Sequence, residues 1–329
     1  MPKPRELRRR IKSVQSTRKI TKTMELVATS KLKRAQDRVV AARPYAAALA
    51  EVMSDLYSPE LAERFPLLRQ PGGGGGGGGA RRVALLLITS NRGLCGAFNA
   101  NLIREARRRI DEIERQGGAV NLHLVGKKGV TFFRFAKRPV ASQRIDVGDR
   151  PTAAHAGELV APLMTQFASG ALDAVDVVFA QFRSAVSTPP TTLRILPITP
   201  PRADRRTGGQ ADGGAHSQAD VRTAGRADSA VHSQSGSPAV RQTANYILKP
   251  SAEAILEALL PLYVRNQVYR ALVETAAAEH GARRTAMKNA TDNAGEILDL
   301  LQRTYNRARQ AQITQEIAEI VGGAEALKG

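Results

Sequence analysis

Arg283–Val321 reads RRTAMKNATDNAGEILDLLQRTYNRARQAQITQEIAEIV, thirty-nine residues without a proline. Its small or apolar residues recur at alternating steps of four and three: Arg283, Met287, Ala290, Ala294, Ile297, Leu301, Thr304, Ala308 and Ala311. A 3.5-residue period marks a helix wound left-handedly on a partner helix. The same spacing runs backwards through Ala276, Val273, Tyr269, Asn266, Leu262 and Leu259 to Ile255. A helix from about Ser251 to Val321 would be on the order of 100 Å long at ~1.5 Å per residue. Small globular domains do not need such a rod, so its length is expected to serve the function. Past Ala311 the apolar stripe moves to Ile313, Ile317 and Ile320. Such a change of frame predicts that the tail leaves its helical partner for a different neighbour.

The partner helix is at the other end of the chain. Residues from about Pro4 to Tyr57 carry Leu7, Ile11, Val14, Arg18, Thr21, Glu25, Ala28, Leu32, Ala35, Val39 and Ala42 at the same steps. Ile20, Met24 and Val27 lie beside that seam, which predicts more than one neighbour. Pro44 is expected to kink this helix, and Pro261 to bend or break the first turns of the C-terminal one.

Charge concentrates on the N-terminal helix. The chain has 329 residues and a formal net charge of +19. Up to Arg43 fourteen basic residues face only Glu6, Glu25 and Asp37, so this segment carries +11. Like charges at helical spacing repel, so a surface facing an acidic partner explains them better than a merely solvated face. With 42% apolar residues the chain can build a core, and its length allows about two domains. Tryptophan is absent and aromatic residues make up 4%, which suits Ala/Leu/Val helix seams better than aromatic-lined pockets. The single cysteine, Cys95, excludes an internal disulfide and a cysteine-rich zinc site. No apolar run reaches membrane-spanning length, and the Arg-rich start holds heptad spacing rather than a signal-type apolar core, so a soluble cytoplasmic protein is expected.

Between the two ends the pattern changes twice. Gly72–Gly79 is a run of eight glycines, expected as a flexible tether; no Gly-Lys-Ser/Thr follows it, so it is no phosphate loop. From Arg81, RRVALLLITSN reads as a strand buried on both faces. Ala97–Gln116 reads as a helix, AVNLHLVGKKG as a strand, 129–136 as a short helix and PVASQRIDV as a third strand. Pro151–Ser169 reads as a helix, AVDVVFAQFRS as a strand and TTLRILPI as an edge strand ending at Pro197. Alternating strands and helices predict a Rossmann-like open α/β sheet with right-handed crossovers. Residues from Pro200 to about Gln242 hold a near-repeat of sixteen, ADRRTGGQADGGAHSQ and ADVRTAGRADSAVHSQ, with almost nothing large and apolar. A disordered insertion is expected there, and metal binding by His216 and His232 is not.

No catalytic constellation stands out. SNRGLCGAFNAN sits where a nucleotide loop would, yet lacks the three-glycine spacing and the P-loop lysine. Gly93 and Gly96 are read as a tight strand-to-helix turn, and Cys95 as a small residue packed in it rather than a nucleophile. His123, His155 and His280 show no metal-ligand spacing, and there is no Gly-x-Ser-x-Gly elbow. Neither cofactor nor metal is expected. A basic coiled-coil nucleic-acid binder would explain the charge, but not the polar, small-residue C-terminal seam or the α/β centre. A nucleotide-using enzyme would need the phosphate loop that is missing.

ELRRRIKSVQSTRKITKTMELVATSKLKRAQDRVVAARPYA near the start, SNRGLCGAFNANLI in the middle and RRTAMKNATDNAGEILDLLQRTYNRARQAQITQEIAEIVGGA near the end resemble the gamma subunits of F-type ATP synthases. The resemblance covers all but the glycine tether and the 200–242 insertion. It implies a long antiparallel left-handed two-helix coiled coil beside a central α/β domain. Its segments would be 1–58 N-terminal helix, 59–80 loop and tether, 81–199 α/β domain, 200–244 insertion and 245–329 C-terminal helix. It implies a rotor without a catalytic site of its own, turning inside a hexamer of alpha and beta subunits. The α/β domain would rest, with the epsilon subunit, on the membrane ring of c subunits, so that proton flow drives the beta sites through their binding states. Carried over by position, the coupling contact matches Met24 in KTMELVA, followed by Lys31 and Lys33. The shaft residues catching on the beta subunits match Arg309, Gln310, Thr314 and Glu316. The tip would be Ile313, Ile317 and Ile320, and the foot on the c ring matches Tyr246, with Lys249 where some relatives are acidic. A lone Cys95 cannot serve the cysteine-pair switch of chloroplast relatives. This favours the bacterial type, peripheral on the cytoplasmic face of the plasma membrane.

Overall fold

The computed structural model describes residues 4–56, 64–70, 81–198 and 252–326. Helix α1 (Pro4–Leu56) and a 3-10 turn (Pro66–Leu68) precede the alternating region. That region runs β1 (Arg82–Ile88), α2 (Phe98–Arg115), β2 (Ala119–Val125), α3 (Lys127–Phe135), β3 (Ser142–Arg144), α4 (Ala153–Ala168), β4 (Ala174–Ala180) and β5 (Pro190–Leu196). Helix α5 (Ala252–Ala326) closes the chain. It spans 75 residues, or about 110 Å at ~1.5 Å per residue.

The sheet order is β3-β2-β1-β4-β5. β1 lies at its centre, parallel to both β2 and β4, and β5 joins the far edge antiparallel to β4. Every residue of β4, and every residue of β1 except Arg82, is buried, as unbroken apolar strands between two helical layers must be. On one face Leu85, Leu87, Leu122 and Leu124 meet Phe98, Leu102, Ala106 and Ile110 of α2 and Val130 and Phe133 of α3. On the other, Ala84, Leu86, Val177 and Phe179 meet Leu159, Leu163 and Phe167 of α4 and Leu256, Leu260, Val264 and Val268 of α5. The first part of α5 is thus a core helix of the α/β domain, and the same rod continues out of it.

Pro44 and Pro261 both lie inside continuous helices, so the first turns of α5 are not broken at Pro261. Each removes one backbone donor, but Ala42, Ala46, Leu49 and Met53 carry the α1 seam past Pro44, and Leu260 and Val264 carry that of α5 past Pro261. From Arg283 onward the buried positions of α5 are Arg283, Met287, Thr291, Ala294, Leu298 and Ala308, so Thr291 and Leu298 take the places expected of Ala290 and Ile297. A helix of 3.6 residues per turn slips by about 20° per heptad against a strict 3.5 repeat, and the seam moves one residue on. In the turn after β1, Gly96 (φ 58°) and the non-glycine Leu94 (φ 62°) both take the left-handed region.

Candidate functional site

The two long helices wind together in opposite directions. The Arg8 guanidinium lies 6.0 Å from the Tyr305 ring centroid. Arg18 lies against Gly295, where a Cβ would stand 3.8 Å from its guanidinium carbon. Thr291 Oγ1 meets Thr21 Oγ1 at 2.8 Å within the seam. Leu7, Ala28, Leu32, Ala35 and Val39, all at seam positions read from the sequence, are buried on the α1 side, and Leu49 and Met53 are buried further along it. The buried threonines satisfy their hydroxyls on backbone carbonyls as well, Thr21 on Arg18 at 3.1 Å and Thr291 on Met287 at 2.8 Å.

Continuing this antiparallel register, Pro4 comes level with roughly residue 309, about where α1 can no longer cover α5. From Arg309 to Ala324 every residue is exposed. The free segment is thus a helix of about 24 Å at ~1.5 Å per residue. Ile313, Ile317 and Ile320 stand 47%, 55% and 71% exposed, on one stripe with Val321. Arg309, Gln310, Thr314 and Glu316 surround them. Thr314 donates back to the Gln310 carbonyl (3.0 Å), and Gln312 donates to Glu316 (2.8 Å). A lone helix of this length is marginal in water, and among the described residues nothing covers its isoleucines.

Lower on the shaft, Met24 is half-buried, while Ile20, Leu26 and Val27 face outward. Lys22 pairs with Glu25 at 3.1 Å and Lys33 with Asp37 at 3.2 Å. The remaining charge of this stretch, including Arg9, Arg10, Lys12 and Lys19, is exposed. The exposed apolar set at 20, 26 and 27 flanks Met24, so a partner would find both apolar and basic groups here.

Lys31 has a different setting: it pairs with Asp149 of the α/β domain, and Arg38 donates to the Asp149 carbonyl at 3.3 Å. Around that contact a buried ionic knot fastens shaft to domain. Arg283 pairs with Glu279 at 2.6 Å and donates to the Gly93 carbonyl at 3.2 Å. Burial pushes the His280 imidazole down to about 4, and pushes the Glu279 carboxyl up against the pull of Arg283. The neighbouring Cys95 is buried, as its reading as a packed small residue expects, and burial pushes its thiol up.

One turn back along α5, Glu274 accepts the Phe182 amide (3.2 Å) and Arg270 (2.7 Å). Thr275 accepts the Ala180 amide at 3.3 Å and donates to the Ala271 carbonyl at 2.7 Å. The end of β4 is thereby clamped to the shaft. Within the sheet, buried Asp176 holds Arg109 and Arg194 at 2.8 Å each, tying α2 and β5 to β4. Sequence reasoning missed the knot and the clamp, because the contacts that join shaft to domain span about 90 to 190 residues and no local spacing marks them. The only local signal was a run of polar residues, Glu274, Thr275, Glu279 and His280, inside an otherwise apolar helix. Tyr246 and Lys249 lie outside the described residues.

Among the described residues no helix is long and apolar enough to cross a membrane. The model of a family described as ATP synthase matches residues 3–327. An ATP synthase gamma chain of Gemmatimonas aurantiaca is 57% identical over 329 residues, all of both chains. One of Leptospira biflexa is 39% identical over 327 residues, 99% of this chain and 100% of its own. Among solved structures, the fold is similar to a chain of the Euglena gracilis mitochondrial ATP synthase OSCP/F1/c-ring in rotational state 3. The TM-score is 0.61 at 19% identity, covering 98% of this chain and 94% of that one. A chain of the rotor of the same complex in rotational state 1 gives a TM-score of 0.58 at 18% identity, covering 94% and 98%. A chain whose two ends wind into one rod around an α/β domain, and whose full length aligns with these relatives, belongs to the ATP synthase gamma-chain family.

Proposed function

We propose that this chain is the central-stalk rotor of a bacterial F-type ATP synthase, with no catalytic site of its own, coupling proton flow through the c ring to ATP synthesis and hydrolysis on the beta subunits. The observation that carries this reading is the free tip, about 24 Å of helix with an apolar stripe that its own chain leaves bare. An apolar sleeve formed by alternating alpha and beta subunits would cover it, and rotation inside such a sleeve needs a helix that is not pinned by its own domain. The basic stretch of α1 then faces acidic groups of the beta subunits, and this accounts for charge that pairs with little of its own chain.

Within that reading Met24, Lys31 and Lys33 meet the alpha and beta subunits midway up the shaft, and Lys31 also pairs with Asp149 of the α/β domain. Arg309, Gln310, Thr314 and Glu316 engage the upper collar around Ile313, Ile317 and Ile320. Tyr246 and Lys249 form the foot on the c ring beside epsilon. The chain divides into shaft (1–58 and 245–329), tether (59–80), α/β domain (81–199) and insertion (200–244). The complex sits on the cytoplasmic face of the plasma membrane, with this subunit peripheral to it.

Coexpression with alpha and beta subunits tests the reading. The full chain should copurify with them in one complex, and Met24→Lys should weaken coupling while leaving assembly intact. Failure to copurify, or normal proton pumping in the Met24→Lys complex, would overturn it. Nothing in the structure favours the nucleic-acid reading.

A further inference from the structure

The outer side of helices α2 and α3 carries a second surface. On α2, Arg104, Arg107, Arg108 and Asp111 fall at i, i+3, i+4 and i+7 and form one ridge. On α3, Lys128, Thr131, Phe132 and Phe135 fall at the same intervals and form a second. Between them runs a groove of about 820 Å³ floored by Ala100 and Ile103. Phe135 stands 87% exposed beside it. Phe132 is set edge-on against buried Phe133, with centroids 5.3 Å apart, so the aromatic wall is fixed.

The charges are not spent locally. Arg109 turns inward to Asp176, and Arg108 is held by Glu105, which also accepts the Thr192 hydroxyl at 2.9 Å. Arg104, Arg107 and Lys128 have no acidic partner among the described residues. Asp111 is the one acidic group on the rim. A concave apolar floor with three unpaired cations on its edges fits a helix better than it fits the flat surface of a bilayer.

We infer that the α2/α3 groove docks an acidic amphipathic helix of a partner protein, whose apolar residues lie on Ile103, Phe132 and Phe135 while its carboxylates meet Arg104, Arg107 and Lys128. Charge of this kind steers association and fixes register, and the apolar floor and aromatic wall supply the buried contact.

The test places the photoprobe p-benzoylphenylalanine at position 135 of the full chain in the membrane-bound complex, followed by irradiation and mass spectrometry of the adducts. The expected adduct is a peptide with heptad-spaced apolar residues and net negative charge. Arg104→Glu with Arg107→Glu should lower its yield about tenfold without changing assembly or far-ultraviolet circular dichroism, since both side chains are exposed. Adducts to lipid alone, to a basic segment, or to nothing would overturn the inference, as would an unchanged yield in the charge-reversed variant.

Discussion

Replacing Glu274 with leucine tests whether shaft and domain are one mechanical body. The carboxylate is buried, accepts the Phe182 amide at 3.2 Å and pairs with Arg270 at 2.7 Å. Leucine has similar length but no acceptor. Arg270 is half exposed and returns to water at little cost, so the loss falls on the Phe182 amide. A buried amide left without an acceptor costs about 1–3 kcal/mol. Urea unfolding of the isolated chain should show that loss as a lower midpoint with an unchanged slope. Glu274→Gln, which keeps one acceptor oxygen, should lose less than about 1 kcal/mol. Hydrogen exchange gives the local reading: if the amide opens with the clamp, its protection should fall about five- to 150-fold in the leucine variant. Both substitutions costing the same, or Phe182 protection unchanged in Glu274→Leu, would refute the claim that this bond clamps β4 to the shaft.

Gly126 closes the turn between β2 and α3 at φ +96°, and a Cβ there would stand 2.1 Å from the Thr89 carbonyl oxygen; Gly126→Ala should cost roughly 3 kcal/mol or more, read as loss of soluble folded chain. His280 carries a pH dependence. Its folded value of about 4 lies below the ordinary 6.5, so the stability tied to its neutral form is complete above pH 6.5 and is lost as pH falls towards 4. The loss amounts to at most about 3 kcal/mol. Burial raises Glu279, whose contribution has the opposite sign in the same window, so the comparison is with His280→Gln: the wild-type minus variant difference should shrink steadily below pH 6.5. Ile313→Asp with Ile317→Asp should leave the isolated chain's unfolding within about 0.5 kcal/mol of wild type, because both side chains are exposed. The same pair should weaken coupled ATP hydrolysis in the assembled complex.

What the sequence made legible follows from the range of each signal. The seam of α1 from Leu7 to Val39 was readable because coiled-coil contacts repeat every three or four residues. Strands β1 and β4 were readable because burial on both faces leaves an unbroken apolar run. Phase was harder: the drift that replaces Ile297 with Leu298 depends on the winding of the pair, which one helix alone does not encode. The bare tip was readable as a change of frame at Ile313. The knot of Lys31, Asp149, Glu279 and Arg283, and the clamp at Glu274 and Thr275, came only with the tertiary structure. There an acidic residue gains its meaning from a partner on another element, and composition or periodicity carries no trace of that pairing.

The most direct test of the account is to watch the α/β domain while the assembled complex hydrolyses ATP. With the alpha–beta collar fixed to a surface, a probe on Arg115→Cys, at the exposed end of α2, would report the orientation of the domain; the buried Cys95 should not compete for the label. The account predicts that the probe turns continually in one direction while ATP lasts and stops when it is exhausted. A probe that stays still while the collar hydrolyses ATP at its full rate would contradict it.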